Sequence, residues 1–249
     1  MTILITRPEI TAKNLISNLE QLGKKVYNLP LIEFIPGKDL YRLPYLLNNL
    51  LRSEDLVIML SQQAVYFANL TLKKFNASWP VNLNYYAIGY ATALSFQITS
   101  KLNINYPKIK ENSEELIKLF ISKNLKDKKI IICGGNPSRE LLKNTLLSFN
   151  ISVFFIECYK SIKKEYNGYT EAKRLRKLGV DTIVVTSGYM LQQLFNLFSD
   201  IDRQEWLLDC KLLVISERLS KIAQAFGWKN IYVTEKANND SILKTLLKK

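Results

Sequence analysis

Short apolar runs in this chain repeatedly end on a small or hydroxyl residue and pass straight into a helical pattern. The clearest case is Lys128 to Lys163. There Ile130-Ile131-Ile132-Cys133 ends on Gly134-Gly135-Asn136-Pro137, and Ser138-Arg139-Glu140 opens a helix. A second apolar run, Ile151 to Ile156, leads to Glu157-Cys158-Tyr159-Lys160. This reads as strand, glycine turn, helix, strand. The opening segment reads the same way: a strand at Thr2–Thr6, a helix near Ile10–Leu22, Gly23 as its C-cap, and a strand at Val26–Ile32. Strands alternating with helices imply parallel sheets, with ligands at the C-terminal ends of the strands.

The pattern occurs twice. Asp55–Leu60 is a strand that enters a helix at Ser61, and Tyr85–Ile88 enters one at Gly89. A short strand near Ile104–Tyr106 precedes a helix capped by Ser113. Later, Asp181–Thr186 turns at Ser187, Lys211–Ile215 turns at Ser216, and Ile231–Val233 precedes a helix capped by Asn239-Asp240-Ser241. Asp55–Phe75 thus matches Asp181–Phe198, Tyr85–Ile98 matches Lys211–Phe226, and Ser113–Lys123 matches Ser241–Lys249. The repeat spans roughly half the chain, too long for a solenoid. A contiguous split near Lys126 would give tandem copies. The passages Glu33–Lys38 and Lys160–Tyr169 look more like domain crossings than the short join at 124–129 does. They favour a discontinuous first lobe, residues 1–35 plus 163–249, and an inserted second lobe, residues 38–158. Linker strands near 30–37 and 156–163 would form a two-stranded ladder. The expected fold is α/β: two similar parallel-sheet lobes with a cleft between them.

Composition narrows the chemistry. The chain has no histidine, which removes Ser-His-Asp triads, Cys-His pairs, HExxH zinc sites and any imidazole base. Cys133, Cys158 and Cys210 have neither zinc-like nor redox spacing and read as buried apolar residues. No metal site is expected. No apolar run approaches the roughly 18 residues of a membrane span, and MTILITRPE reads as a first strand rather than a signal peptide, so the expected compartment is the cytoplasm. Lys and Arg number 35 against 22 Asp and Glu, a net charge of +13 that suits an anionic partner: nucleic acid, a membrane surface or a polyacidic small molecule. It also suits a plain lysine-rich surface. The basic residues are scattered, with no arginine-rich tract or RNP-like motif to mark a nucleic-acid face.

The candidate site residues are those at the strand-to-helix turns: Ser61, Gly89 with Thr92, Gly135, Ser187 and Ser216. Unpaired amides and the positive end of the helix dipole meet at such turns, so each is an anion site or an ordinary N-cap. Repetition along one edge of each sheet favours the anion reading. Neither GxGxxG nor GxxxxGK[ST] occurs, which disfavours nucleotides.

From Gly135 to Tyr159 the chain resembles the uroporphyrinogen-III synthase family, in a G-x-x-x-R-E-L strand-turn-helix followed by a strand ending in tyrosine. The resemblance extends to Ile5–Pro8, Leu60-Ser61 with Ala64-Val65, Ile88-Gly89 with Thr92-Ala93, Val185-Thr186-Ser187 and Ile215-Ser216-Glu217-Arg218, nearly the whole chain. It implies a monomeric enzyme without cofactor that cyclises hydroxymethylbilane, a linear tetrapyrrole with eight carboxylates, inverting the last ring. Tyr159 matches the cleft tyrosine that assists departure of the hydroxyl, although a strand-end anchor is an equal reading. Ser61, Thr92 and Ser187 match hydroxyls that hold carboxylates. Arg7 and Arg139 match basic positions, each of which could instead pin its own turn, Arg7 especially. Gly134, where relatives often have arginine, and Pro137-Ser138, in place of a glycine pair, depart from the pattern. Two rivals remain: a non-enzymatic two-lobed binding protein for an anionic small molecule, and, from charge alone, a nucleic-acid binder.

Overall fold

The computed structural model describes residues 1–121, 125, 128–136, 141–148 and 151–247. The chain begins with β1 (Thr2–Ile5), α1 (Glu9–Gln21), β2 (Lys25–Asn28) and β3 (Ile32–Pro36). An irregular helical passage follows, containing α2 (Leu43–Tyr45), and leads to β4 (Leu56–Met59) and α3 (Gln62–Lys74). Next come β5 (Asn84–Ala87), α4 (Tyr90–Ser100), α5 (Ser113–Ile121), β6 (Lys129–Asn136), α6 (Leu141–Ser148) and β7 (Ser152–Lys163). The last third holds α7 (Gly168–Lys177), β8 (Thr182–Val185), α8 (Gly188–Leu197), α9 (Asp200–Glu205) and β9 (Lys211–Val214). It ends with α10 (Glu217–Ala225), β10 (Ile231–Val233) and α11 (Asn239–Leu247). No helix among the described residues is long and apolar enough to cross a membrane.

The chain divides into two compact units, Met1–Glu33 with Ile162–Lys249, and Phe34–Ser161. The first unit carries a sheet of order β10-β9-β8-β1-β2, parallel throughout. The second carries β3-β7-β6-β4-β5, in which β5, β4, β6 and β7 run parallel. Both boundaries between units fall inside strands, β3 and β7.

Helices cover both faces of the second sheet, so its strands are apolar on both sides. Val57, Met59, Ile131 and Cys133 face Ala64, Val65, Ala68 and Leu72 of α3 together with Phe96 of α4. The alternate residues Leu56, Ile58, Ile130 and Ile132 face Leu116 of α5 and Leu142 and Leu146 of α6. In the first unit, Ile3, Ile5, Val184 and Leu213 pack on Ala12, Leu15 and Leu19 of α1 and on Ile242 and Leu246 of α11.

The duplication is visible in how the strands start. Asp55 takes the Lys129 amide on Oδ1 at 3.1 Å, and its carbonyl takes the Asn84 amide at 2.9 Å. Asp181 likewise takes the Thr2 amide on Oδ1 at 3.1 Å, and its carbonyl takes the Lys211 amide at 2.9 Å. One aspartate thus aligns three neighbouring strands in each unit.

Several local expectations are corrected. The run 26–32 is two strands rather than one: it breaks at Leu29–Leu31, where Pro30 has no amide to give a ladder, and β3 then joins the other sheet. Glu33–Pro36 lies in β3, beside β7 at the edge of the second sheet, in the region where a linker strand was expected. The fragment near Ile104–Tyr106 is a single bridge between Asn105 and Tyr86. Helix α5 is capped by Asn112, whose Oδ1 accepts the Glu115 amide at 2.9 Å, and α11 by Asn238, whose Oδ1 accepts the Ser241 amide at 2.9 Å. In each case the expected serine lies inside the helix, because an Asx oxygen just upstream takes the open amide.

Asp55 is 3 % exposed and also accepts the Arg52 amide at 2.7 Å. Asp55→Ala would strand two amides. It should lower stability by about 1–3 kcal/mol in urea unfolding, whereas the more exposed Asp181→Ala should cost less.

Candidate active site

In each sheet one strand is left in opposite directions by its two connections. From β4 the chain goes to β5 on one side, and the other side is filled by β6; β1 lies between β2 and β8 in the same way. Ligands in such sheets bind beyond the strand C-termini at this reversal.

At the β4/β6 reversal three expected residues touch. Ser61 is the extended N-cap of α3, and its Oγ accepts the Ala64 amide at 3.1 Å. The Ser61 hydroxyl then donates to the Tyr159 phenol oxygen at 3.2 Å. Tyr159 lies on β7, which outlasts β6. The register slips between Gly134, opposite Glu157, and Gly135, opposite Tyr159, so Cys158 is an extra residue on β7. The bulge turns the phenol ring over Gly135, where an added β-carbon would overlap the ring. Gly135 was expected in a turn at the start of a helix. It belongs instead to β6, because the ladder with β7 holds residues 134–136 extended.

Phe34 meets the Tyr159 ring edge-on at 5.2 Å, and Phe67 stacks on it at 6.2 Å. Burial pushes the phenol pKa above its ordinary value, and the Ser61 hydrogen bond only partly opposes this. The phenol is therefore protonated at neutral pH. Because its oxygen accepts from Ser61, its own proton remains available to an incoming acceptor.

The next corner along the same edge starts α4. Gly89 is its N-cap and has no side chain to offer; the Tyr90 amide instead donates to Glu111 Oε1 at 3.1 Å. Thr92 sits in the first turn of α4, 5 % exposed. In the first unit, Ser187 caps α8 by accepting the Met190 amide at 3.1 Å, and Ser216 caps α10 by accepting the Leu219 amide at 3.4 Å. They follow adjacent strands, β8 and β9. Arg7 follows β1, and its Nη1 donates to Asn239 Oδ1 at 2.7 Å while its carbonyl accepts from Asn28 Nδ2 at 3.0 Å. Burial lowers the Arg7 pKa from its ordinary value. Arg139 lies outside the described residues.

The structure thus joins Ser61, Gly135 and Tyr159 by contact, puts Gly89 and Thr92 on one helix start, and sets Arg7, Ser187 and Ser216 along one edge of the other sheet. Two acids escaped the sequence reading. Glu111 comes from an irregular stretch with no period to flag it. Glu157, 7 % exposed, accepts from Asn136 Nδ2 at 2.9 Å; it reads in sequence as one more strand residue.

Serine-capped and open helix starts along the strand C-termini of each unit's sheet, with a buried tyrosine beside one of them in the second unit, define a class: a two-unit α/β protein with repeated candidate anion corners. Comparison makes this specific. Residues 13–244 match the family model described as Uroporphyrinogen-III synthase HemD. The chain is 44% identical to the uroporphyrinogen-III synthase of Salmonella typhimurium and 43% identical to that of Escherichia coli, each over 99% of this chain and 100% of the relative. The uroporphyrinogen-III synthetase of Helicobacter pylori, 17% identical, has the same fold with a TM-score of 0.63 over 99% of this chain and 98% of that one. A mutant Thermus thermophilus enzyme, 16% identical, gives 0.58 over 99% and 97%. The chain belongs to the uroporphyrinogen-III synthase family.

Removing the Ser61 donor should raise the Tyr159 pKa further, since the phenolate loses its hydrogen bond. Ultraviolet difference titration of Ser61→Ala, with Tyr159→Phe identifying the band, checks this. Because the folded pKa already lies above the unfolded one, Tyr159 stabilises the fold below about pH 10, and this contribution is lost as pH rises further. Alkaline unfolding of Tyr159→Phe should accordingly show a shallower pH slope.

Proposed function

We propose that this chain is a uroporphyrinogen-III synthase, cyclising hydroxymethylbilane to uroporphyrinogen III and water with inversion of ring D and no cofactor. Full-length identity of 43–44% to the two enterobacterial synthases carries this reading. The substrate loses its terminal hydroxyl as water, taking up one proton, and leaves an azafulvene cation. Attack on this cation by the substituted α-carbon of ring D gives a spiro intermediate. The bond from that carbon to the methylene bridge of ring C then breaks, the bridge carbon bonds to the free α-carbon of ring D, and that carbon loses its proton. One proton is thus taken up and one returned.

Tyr159 is the residue proposed to assist departure of the hydroxyl. Its phenol is protonated at neutral pH and its oxygen accepts from Ser61, so its own proton remains available to an acceptor. The carbinol ionises readily, so positioning carries more of the catalysis than acid strength does. Ser61, Gly89, Thr92, Gly135, Ser187 and Ser216 are assigned to holding carboxylates through hydroxyl and amide donors, and Arg139 to the same task by its motif position. For Arg7 the bond to Asn239 supports turn-pinning over direct binding. Three free, buried cysteines fit a reducing compartment, and the cytoplasm is the one proposed.

Two outcomes test this. Incubation with freshly made hydroxymethylbilane should give type III product; only the spontaneous type I macrocycle would refute the assignment. Tyr159→Phe should be slowed by roughly tenfold to a hundredfold while still forming type III, as isomer separation after quenching would show. Unchanged turnover would remove the acid role.

A further inference from the structure

We propose that Glu111 stands in for one of the substrate's own side chains: in the free protein it fills the corner at the start of α4, and a substrate propionate must displace it. This rests on the synthase reading. Of the four hydroxyl- or glycine-started corners described above, three hold a serine that closes its own helix start, Ser61, Ser187 and Ser216. Gly89 has no side chain, and the fourth corner is closed by an acid from another part of the unit.

The fit goes beyond one hydrogen bond. Glu111 Oε1 accepts the Tyr90 amide at 3.1 Å, and the rest of the side chain lies across Gly89. A β-carbon at Gly89 would overlap Oε2, sit 2.5 Å from Cδ and sit 2.9 Å from Glu111 Cβ. Beyond its Cα, glutamate is a propionate, CH2–CH2–CO2−, the same arm that the pyrroles of a uroporphyrinogen precursor carry beside an acetate. The corner therefore already accommodates a propionate over its full length.

What adjoins the corner suits the ring behind such an arm. Tyr90, whose amide holds the carboxylate, is 54 % exposed and packs tilted against Tyr106, with ring centroids 5.8 Å apart. An electron-rich pyrrole can stack on an open phenol face. Glu111 itself is exposed, belongs to an irregular stretch and forms no ion pair among the described residues, so little holds it in place. Its contact supplies occupancy that a tighter, better-connected acid can replace. Gly89 is then required because any side chain there would occupy the arm's path.

Occupancy by an internal carboxylate reduces the open fraction of the corner and raises the apparent KM in proportion. Glu111→Ala and Glu111→Gln should therefore lower KM for hydroxymethylbilane by about threefold to fivefold, the gain lying in KM rather than kcat. Gly89→Ala introduced into Glu111→Ala should raise KM above the wild-type value. By NMR, the Tyr90 amide proton should move upfield in Glu111→Ala and return toward its wild-type position when uroporphyrinogen III is added. If Glu111 is only a cap for α4, KM stays level or rises and the Tyr90 resonance ignores the product; either result overturns the proposal. Should wild-type protein form no type III isomer, the synthase reading itself fails. If it forms type III but Glu111→Ala shows no fall in KM, this inference fails alone.

Discussion

The first-turn amides of α3, α4, α8 and α10 have no acceptor within their own helices, and each must find one outside. Parallel pairing brings these helix starts to one edge of each unit's own sheet, directly after β4 and β5 in one and after β8 and β9 in the other. Each serine cap satisfies one amide and leaves its neighbours open, while the helix dipole keeps the corner electropositive. Hydrogen bonds to a charged acceptor contribute about 1.5–3 kcal/mol each, whereas a scattered surface lysine acts through water and is screened over about 8 Å. On the proposed function, the +13 surplus is a long-range, screened attraction for an acidic substrate, and the corners are the proposed short-range contacts.

Around Tyr159, backbone geometry and proton chemistry depend on each other. The Cys158 bulge rotates the ring, the bare Gly135 makes room for it, and Phe34 and Phe67 bury it. That burial keeps the phenol neutral, and the Ser61 hydroxyl donates to its oxygen. A tyrosine on a regular strand would have kept the alternation of Ile156 and Cys158 and pointed to the other face. The same Ser61 oxygen accepts from Ala64, so the start of α3 and the phenol are fixed by one hydroxyl.

The architecture was legible because alternating apolar runs and helix-start residues are local signals, and the chain carries them twice. Ser61, Ser187 and Ser216 were readable as helix starts for the same reason. What escaped depends on contacts far apart in sequence. The split at Pro30 follows from β3 joining a different sheet than β2, which no window around 26–32 contains. Gly135 looked like a turn because glycine pairs usually are; only pairing with β7 keeps it extended. Glu111 closes a corner 21 residues upstream of it, and nothing in its own neighbourhood distinguishes it from a solvated acid.

Hydrogen–deuterium exchange with and without bound uroporphyrinogen III reads the corner amides directly. The account predicts slowed exchange in the first turns after β4, β5, β8 and β9, hence in both units, with the N-terminal strand edges around Met1 and Lys211 unchanged. Protection confined to those N-terminal edges, or absent from every helix start, would contradict it.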